Sequence, residues 1–181
     1  MRAFVGIPLP PPEPVAALLE ELRGCGADLK VVAPNNLHAT VKFLGDIPDA
    51  QAPIILERLR AAHLPRDYTI ILEDVGAFPD WKRLNILWVG MKDPDGAVAA
   101  TFAAAEKAFA EIGFLPETRP FSAHATIARK RSDAAKDRAK DVLARHRNET
   151  FGPVKVHGPV LYRSTLTPTG PVYEVVGETV A

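Results

Sequence analysis

The feature that most constrains this 181-residue chain is a tetrapeptide that occurs twice. His38-Ala39-Thr40-Val41 returns as His124-Ala125-Thr126-Ile127, and the separation, 124 − 38 = 86 residues, is nearly half the chain. A duplicated lobe produces such a spacing. Both copies lie in runs with strand character, where residues two apart project from the same side. His38 and Thr40 therefore share one face, and so do His124 and Thr126. Ala39, Val41 and Phe43, with Ala125 and Ile127, are expected to point into the core.

The rest of the chain falls into two similar groups of elements. Arg2–Pro8 reads as a first strand, ended by prolines that lead into a helix with Val15, Leu18, Leu19 and Leu22 on one face. Gly24 and Gly26 stop that helix. Strands are expected near Leu29–Val32 and Leu37–Leu44, then a helix from about Ala50 to His63. Tyr68–Phe78 and Arg83–Met91 read as strands joined by a turn at Pro79-Asp80. In the second group, Phe102, Ala105, Phe109 and Ile112 stripe a helix from about Asp95 to Gly113. Ser122–Arg129 reads as a strand, and Ser132 and Asp133 are positioned to cap a charged helix reaching about Arg147. Two final strands are expected, Phe151–Arg163 and Val172–Val180. Without regular βαβ alternation, the pattern is that of an α+β fold: antiparallel sheets with helices on their outer faces. Residues 1–181 are expected to form one bilobal domain with one His-x-Thr motif in each half.

Composition narrows the functions. Lys+Arg and Asp+Glu are equal at 22 each, so an anionic ligand must be held by local charge and not by a global field. The one cysteine, Cys25, cannot form an internal disulfide, and in its Gly-Cys-Gly setting it reads as structural. No run has the length of a signal peptide's apolar region or of a membrane span, so a cytoplasmic protein without membrane association is the expectation; a monomer is expected separately.

Two histidines and two hydroxyls lining one groove suit hydrolysis of a cyclic phosphodiester. One neutral imidazole takes a proton from water while a protonated one gives a proton to the leaving ribose oxygen. An unperturbed pKa of about 6.5 makes both forms available near neutrality. Thr40 and Thr126 can donate hydrogen bonds to the non-bridging phosphate oxygens. Lys42 extends the His38 face by one alternate position and is the candidate for an added phosphate contact. In the second copy, strict alternation puts Lys130 on the His124 face and Arg129 on the other, an order that a bulge would reverse. Metal binding is poorly supported, because neither copy has a carboxylate or cysteine at ligand spacing. No metal or other cofactor is expected.

The sequence resembles the 2H phosphoesterases, named for two His-x-Thr/Ser motifs. Within them it is most similar to the prokaryotic RNA 2′,3′-cyclic phosphodiesterases, formerly called 2′-5′ RNA ligases. The resemblance runs from Arg2-Ala3-Phe4-Val5-Gly6-Ile7 through Asn36–Gly45 and Leu87-Trp88-Val89-Gly90 to Phe121–Arg129 and Leu166–Tyr173. It implies a bilobal fold with a pseudo-twofold axis and a cleft between two antiparallel sheets. It also implies metal-free hydrolysis of RNA ends or nucleotides bearing a 2′,3′-cyclic phosphate, leaving a 2′-phosphomonoester. By the same similarity, His38 would be the proton donor to the 3′-oxygen and His124 the acceptor that activates water. Sequence symmetry alone does not make that assignment. Ala39 and Ala125 replace the larger leucine or valine often found between the motif residues. The alternatives are a 2′-5′ phosphodiesterase or ligase, a small cyclic-nucleotide phosphodiesterase, and a nucleotide-binding module without turnover.

Other candidates carry less weight. His63, His146 and His157 lack a repeated context and read as solvated or capping residues. Trp81, in a turn, is free to stack on a base, whereas Trp88 in an apolar strand reads as core. Tyr162 and Tyr173 fit either role. Arg129-Lys130-Arg131 is a candidate contact for flanking RNA phosphates.

Overall fold

The computed structural model describes residues 1–180. Its strands are β1 (Arg2–Pro8), β2 (Leu29–Val31), β3 (His38–Asp46), β4 (Tyr68–Phe78), β5 (Ile86–Lys92), β6 (His124–Lys130), β7 (Thr150–Val156), β8 (Val160–Thr167) and β9 (Gly170–Glu178). Its α-helices are α1 (Glu13–Gly24), α2 (Gln51–Ala61), α3 (Ala97–Glu111) and α4 (Lys136–Arg145). None of these helices is long and apolar enough to cross a membrane. The expected α+β architecture is present. One sheet has the order β3-β1-β8-β9 and the other β2-β6-β5-β4-β7, with every pairing antiparallel.

The two sheets follow one plan. The motif strand (β3 or β6) pairs with the first strand of its half (β1 or β5), and that strand pairs on its other side with a strand from the other half of the chain (β8 or β4). Helices are exchanged as well. Helix α1 follows β1 of the first sheet but packs on β2 and β7 of the second. Helix α3 follows β5 of the second sheet but packs on β3 of the first. The α1 stripe expected from sequence, Val15, Leu18, Leu19 and Leu22, is fully buried beneath it. Glu13 in the first turn and Arg23 in the last complement the helix dipole. For α3, Asp93 caps the start: its carboxylate accepts from the backbone N–H groups of Val98 and Ala99 at 3.0 and 3.1 Å.

Several local expectations need correction. The run read as one strand, Phe151–Arg163, is two, broken at His157-Gly158-Pro159, and the pieces join different sheets. Ser132 and Asp133 do not cap α4 with their side chains. Ser132 donates to Asp28 at 2.7 Å, Asp133 pairs with Lys130, and Ala135 in a left-handed conformation starts the helix.

A pair of β-bulges has larger consequences. Opposite the Val5–Gly6 step of β1, the motif strand β3 has one extra residue, Val41. Opposite the Leu87–Trp88 step of β5, β6 has one extra residue, Ile127. Each bulge falls three residues after its histidine and reverses the alternation beyond it. Val41 and Lys42 are consequently both buried, as are Ile127 and Ala128. Phe43, expected in the core, is turned to the opposite face and is 64% exposed.

Candidate active site

Ala39, Val41, Ala125 and Ile127 pack into the main core, while His38, Thr40, His124 and Thr126 stand half-buried on the other faces of β3 and β6. These two strands lie beside each other where the sheets meet. The motif residues therefore open onto a cleft between the sheets.

Both imidazoles are held in the same way. His38 Nδ1 lies 2.6 Å from the carbonyl oxygen of Asn36, and His124 Nδ1 lies 2.7 Å from that of Ser122. A carbonyl can only accept, so Nδ1 carries the proton in each ring and Nε2 is the nitrogen left for proton exchange. The contact in both cases reaches back two residues, to the segment just before the strand. For His38 that segment is the 3₁₀ turn Pro34–Asn36. Asn36 is itself tied to the β8–β9 hairpin, its side-chain amide donating to the Pro171 carbonyl at 3.2 Å.

The walls are aromatic. Phe4 on β1 lies under His38 with ring centroids 4.8 Å apart, and it stacks on Tyr162 at 4.8 Å and meets Tyr173 edge-on at 4.9 Å. Phe4, Val160 and Tyr162 form a small buried cluster separate from the main core, with Tyr173 against it. Gly6 faces Thr40 across the strand pair, and a Cβ there would sit 3.1 Å from the Phe4 ring and 3.2 Å from the His38 ring. In the second lobe, Phe78 meets His124 edge-on at 4.9 Å and Trp88 stands 6.3 Å from it. The Trp88 indole crosses Gly76, where a Cβ would come within 2.1 Å of the ring. Trp88 is thus on the histidine face and not in the core. Trp81 is engaged as well, with the Arg147 guanidinium 4.9 Å above its ring.

Burial holds His38 below the ordinary imidazole pKa; the Asn36 carbonyl opposes this, and the positive charge of Arg129 lowers it again. Burial likewise lowers His124, against the pull of the Ser122 carbonyl. Burial raises the phenols of Tyr162 and Tyr173.

The structure separates the basic candidates. Arg129 has been turned by the Ile127 bulge onto the His124 face, where its charge acts on His38 and on Tyr173 across the cleft. Lys130 points elsewhere, donating to the Arg83 carbonyl at 2.6 Å and pairing with Asp133. Lys42 does not extend the His38 face. The Val41 bulge sends its side chain inward, where Nζ meets Glu106 at 2.6 Å, the Leu115 carbonyl at 2.8 Å and Glu117 at 3.8 Å. The remaining histidines are outside the cleft: His146 bonds Glu21 and Glu149, and His157 bonds Asp67. Among the described residues, no three His, Cys, Asp or Glu side chains are grouped so that they could hold a metal ion. Tyr162 and Tyr173, which the sequence left open between two roles, are wall residues, and Phe4 and Phe78 join them without having been singled out. Their signal is weak, since each is an ordinary aromatic in a strand.

Paired strands of one plan, each presenting a tautomer-fixed histidine and a hydroxyl to a common cleft, define a two-histidine phosphoesterase. A family model described as LigT-like phosphoesterase matches the chain twice, over residues 5–88 and 89–173, one match to each half. The chain belongs to this family, the 2H phosphoesterases. It is 37% identical over 161 residues to the Aquifex aeolicus RNA 2′,3′-cyclic phosphodiesterase, covering 83% of each chain. It is 32% identical over 180 residues to the Methanocaldococcus jannaschii protein of the same name, covering 98% of this chain and 99% of that one. A crystal structure of a Thermus thermophilus protein superposes with a TM-score of 0.78 at 28% identity, over 98% of this chain and 96% of the other. Escherichia coli LigT complexed with 3′-AMP shares the fold, with a TM-score of 0.71 at 24% identity over 97% and 95%.

Proposed function

We propose that this chain is a metal-independent RNA 2′,3′-cyclic phosphodiesterase, opening a terminal cyclic phosphate to a 2′-phosphomonoester. The observation that carries the reading is the matched pair of imidazoles, each with Nδ1–H given to a backbone carbonyl and Nε2 left for proton transfer. The names of the relatives support the substrate class.

In the proposed reaction, His124 Nε2 takes a proton from a water that attacks phosphorus. The P–O3′ bond breaks as His38 Nε2–H gives its proton to the departing 3′-oxygen. Phosphorus keeps its bond to O2′, so the product is the 2′-phosphomonoester. Thr40 and Thr126 hydroxyls donate to the non-bridging oxygens as their charge changes, and Arg129 adds a cation beside them. His38 must be protonated to act as the acid, yet burial and Arg129 both oppose its charge. The anionic phosphodiester offsets that penalty when it binds. We assign no phosphate contact to Lys42 or Lys130, whose charges are already partnered.

One chain supplies both motifs, and each sheet takes strands from both halves, so we read residues 1–181 as one functional unit that needs no second copy. We place it in the cytoplasm, acting on RNA ends. The test is turnover of 2′,3′-cyclic nucleotides and of short RNAs with cyclic ends after exhaustive dialysis against EDTA, with the product isomer assigned by ³¹P NMR. Full activity giving the 2′-phosphate is expected. Loss on chelation with recovery on adding a divalent ion would reject the mechanism. Cleavage only of 2′-5′ linkages would move the chain to a different activity on the same site.

A further inference from the structure

The second sheet presents to the cleft a pair of cations that no acid neutralises. Lys30 on β2 is the register partner of Arg129 on β6. The next pair along these strands, Val31 and Ala128, packs into the main core, so Lys30 and Arg129 stand together on the opposite, cleft-facing side. Side chains directly opposed across a strand pair lie about 5 Å apart at Cβ, and like charges there repel. Among the described residues no carboxylate pairs with either one. Their neighbour Lys130, by contrast, is matched to Asp133.

The placement of Lys30 is specific. An edge-strand lysine can serve only to prevent pairing with another sheet, and such a residue points into water along the edge. Lys30 is half-buried and reaches the β8–β9 hairpin of the other sheet, where a Cβ on Gly170 would sit 3.3 Å from Cε and 3.7 Å from Nζ. The same hairpin carries Tyr173 of the cleft wall and holds Asn36, whose carbonyl fixes His38. Arg129 acts on His38 and on Tyr173, where Arg2 adds another positive charge. A chain without net charge has thus gathered cations at this end of its cleft.

Arg129 stands beside the phosphate site defined by the histidines and threonines. Lys30 is one strand spacing further out, about 5 Å. An RNA end carries a second phosphate one nucleotide away, because the ribose bearing the cyclic phosphate is joined to the rest of the chain through a 5′-phosphodiester. We infer that Lys30 binds the 5′-phosphate of the nucleotide bearing the cyclic end, so that the cleft selects RNA ends over unphosphorylated mononucleotides. The inference rests on the cyclic phosphodiesterase reading and adds a determinant of substrate length. It also gives the repulsion between Lys30 and Arg129 a purpose, since a bound RNA end supplies an anion to each.

The experiment compares wild type, Lys30→Met and Lys30→Arg on adenosine 2′,3′-cyclic phosphate, the same compound with a 5′-phosphate, and a diadenosine dinucleotide with a 2′,3′-cyclic end. Wild type should favour the second and third in kcat/KM by about tenfold, the lower end of what a hydrogen bond to a charged group contributes. Methionine should abolish that preference through KM, and arginine should restore it. On the dinucleotide, the slope of log(kcat/KM) against log salt should become shallower by about 0.7 in Lys30→Met, the value of one phosphate contact on a single strand. Methionine keeps the stem beside Gly170 and removes the repulsion, so its Tm should equal or exceed that of wild type. A wild type indifferent to the 5′-phosphate, or equal losses of Lys30→Met on all three substrates, would overturn the inference. Calorimetric titration with adenosine 2′-phosphate and adenosine 2′,5′-bisphosphate reads the same preference without turnover. If wild type hydrolyses none of the three substrates, the functional reading fails. The inference fails separately if wild type and Lys30→Met gain equally in affinity from the added 5′-phosphate.

Discussion

Replacing Lys42 by methionine separates two roles for this residue that the sequence leaves indistinguishable. If Lys42 were a phosphate ligand, the variant would be stable and would lose affinity for substrate. The structure makes the opposite claim. Lys42 is 4% exposed, and Nζ donates to Glu106 at 2.6 Å and to the Leu115 carbonyl at 2.8 Å, with Glu117 at 3.8 Å. It pins the segment after α3 against β3, and Glu106 reinforces this by accepting from the Glu117 backbone N–H at 2.9 Å. Methionine keeps the apolar stem that lies beside Phe109 but removes the charge. Deleting one partner of a buried pair costs ~3–5 kcal/mol. The Glu106 side chain is 28% exposed and can regain some water, so the expected loss falls to about 2–3 kcal/mol. For a chain of this size that lowers Tm by about 4–12 °C. Urea unfolding measures the loss, and kcat/KM on a cyclic nucleotide at low temperature measures the site. A second substitution, Glu106→Gln, made on Lys42→Met should recover part of the stability, because it removes the stranded carboxylate charge. A variant with wild-type stability and a raised KM would refute the argument and return Lys42 to the phosphate.

Three further outcomes are expected. His38→Ala and His124→Ala should each slow the chemical step by ~10²–10⁴ while folding normally, and Thr40→Ala and Thr126→Ala should cost less; single-turnover kinetics with circular dichroism checks both. The profile of kcat/KM against pH should be bell-shaped and centred on the acid side of the ordinary imidazole value, because burial lowers both histidines in the free enzyme. NMR titration of the two rings should agree. The same depressed values imply stability that is full above the unfolded pKa of about 6.5 and lost as pH falls through the lower folded values. Gly76→Ala should place a methyl group inside the Trp88 ring, pushing the indole toward His124. A stability loss of about 1–3 kcal/mol in urea, with reduced turnover, is expected.

Much of this molecule is legible in the sequence, because it depends on local pattern. The His-x-Thr repeat, the period-2 alternation around it and the α1 stripe of Val15, Leu18, Leu19 and Leu22 each act over a few residues. They lead directly to strands, a helix and two duplicated lobes. What they could not carry was which strand pairs with which. The helix exchange between lobes and the split of residues 151–163 between sheets depend on contacts far apart in sequence, and no local signal records them. The fate of Lys42, Phe43 and Arg129 turned on one extra residue in each motif strand. A bulge is defined only against its partner, here the Val5–Gly6 and Leu87–Trp88 steps. The sequence alone determined that a histidine and a threonine would share one face of each motif strand. Only the tertiary structure decided that an aromatic ring and a guanidinium would face them while a lysine was drawn inward, because side-chain direction beyond a bulge is a property of the strand pair and not of the strand.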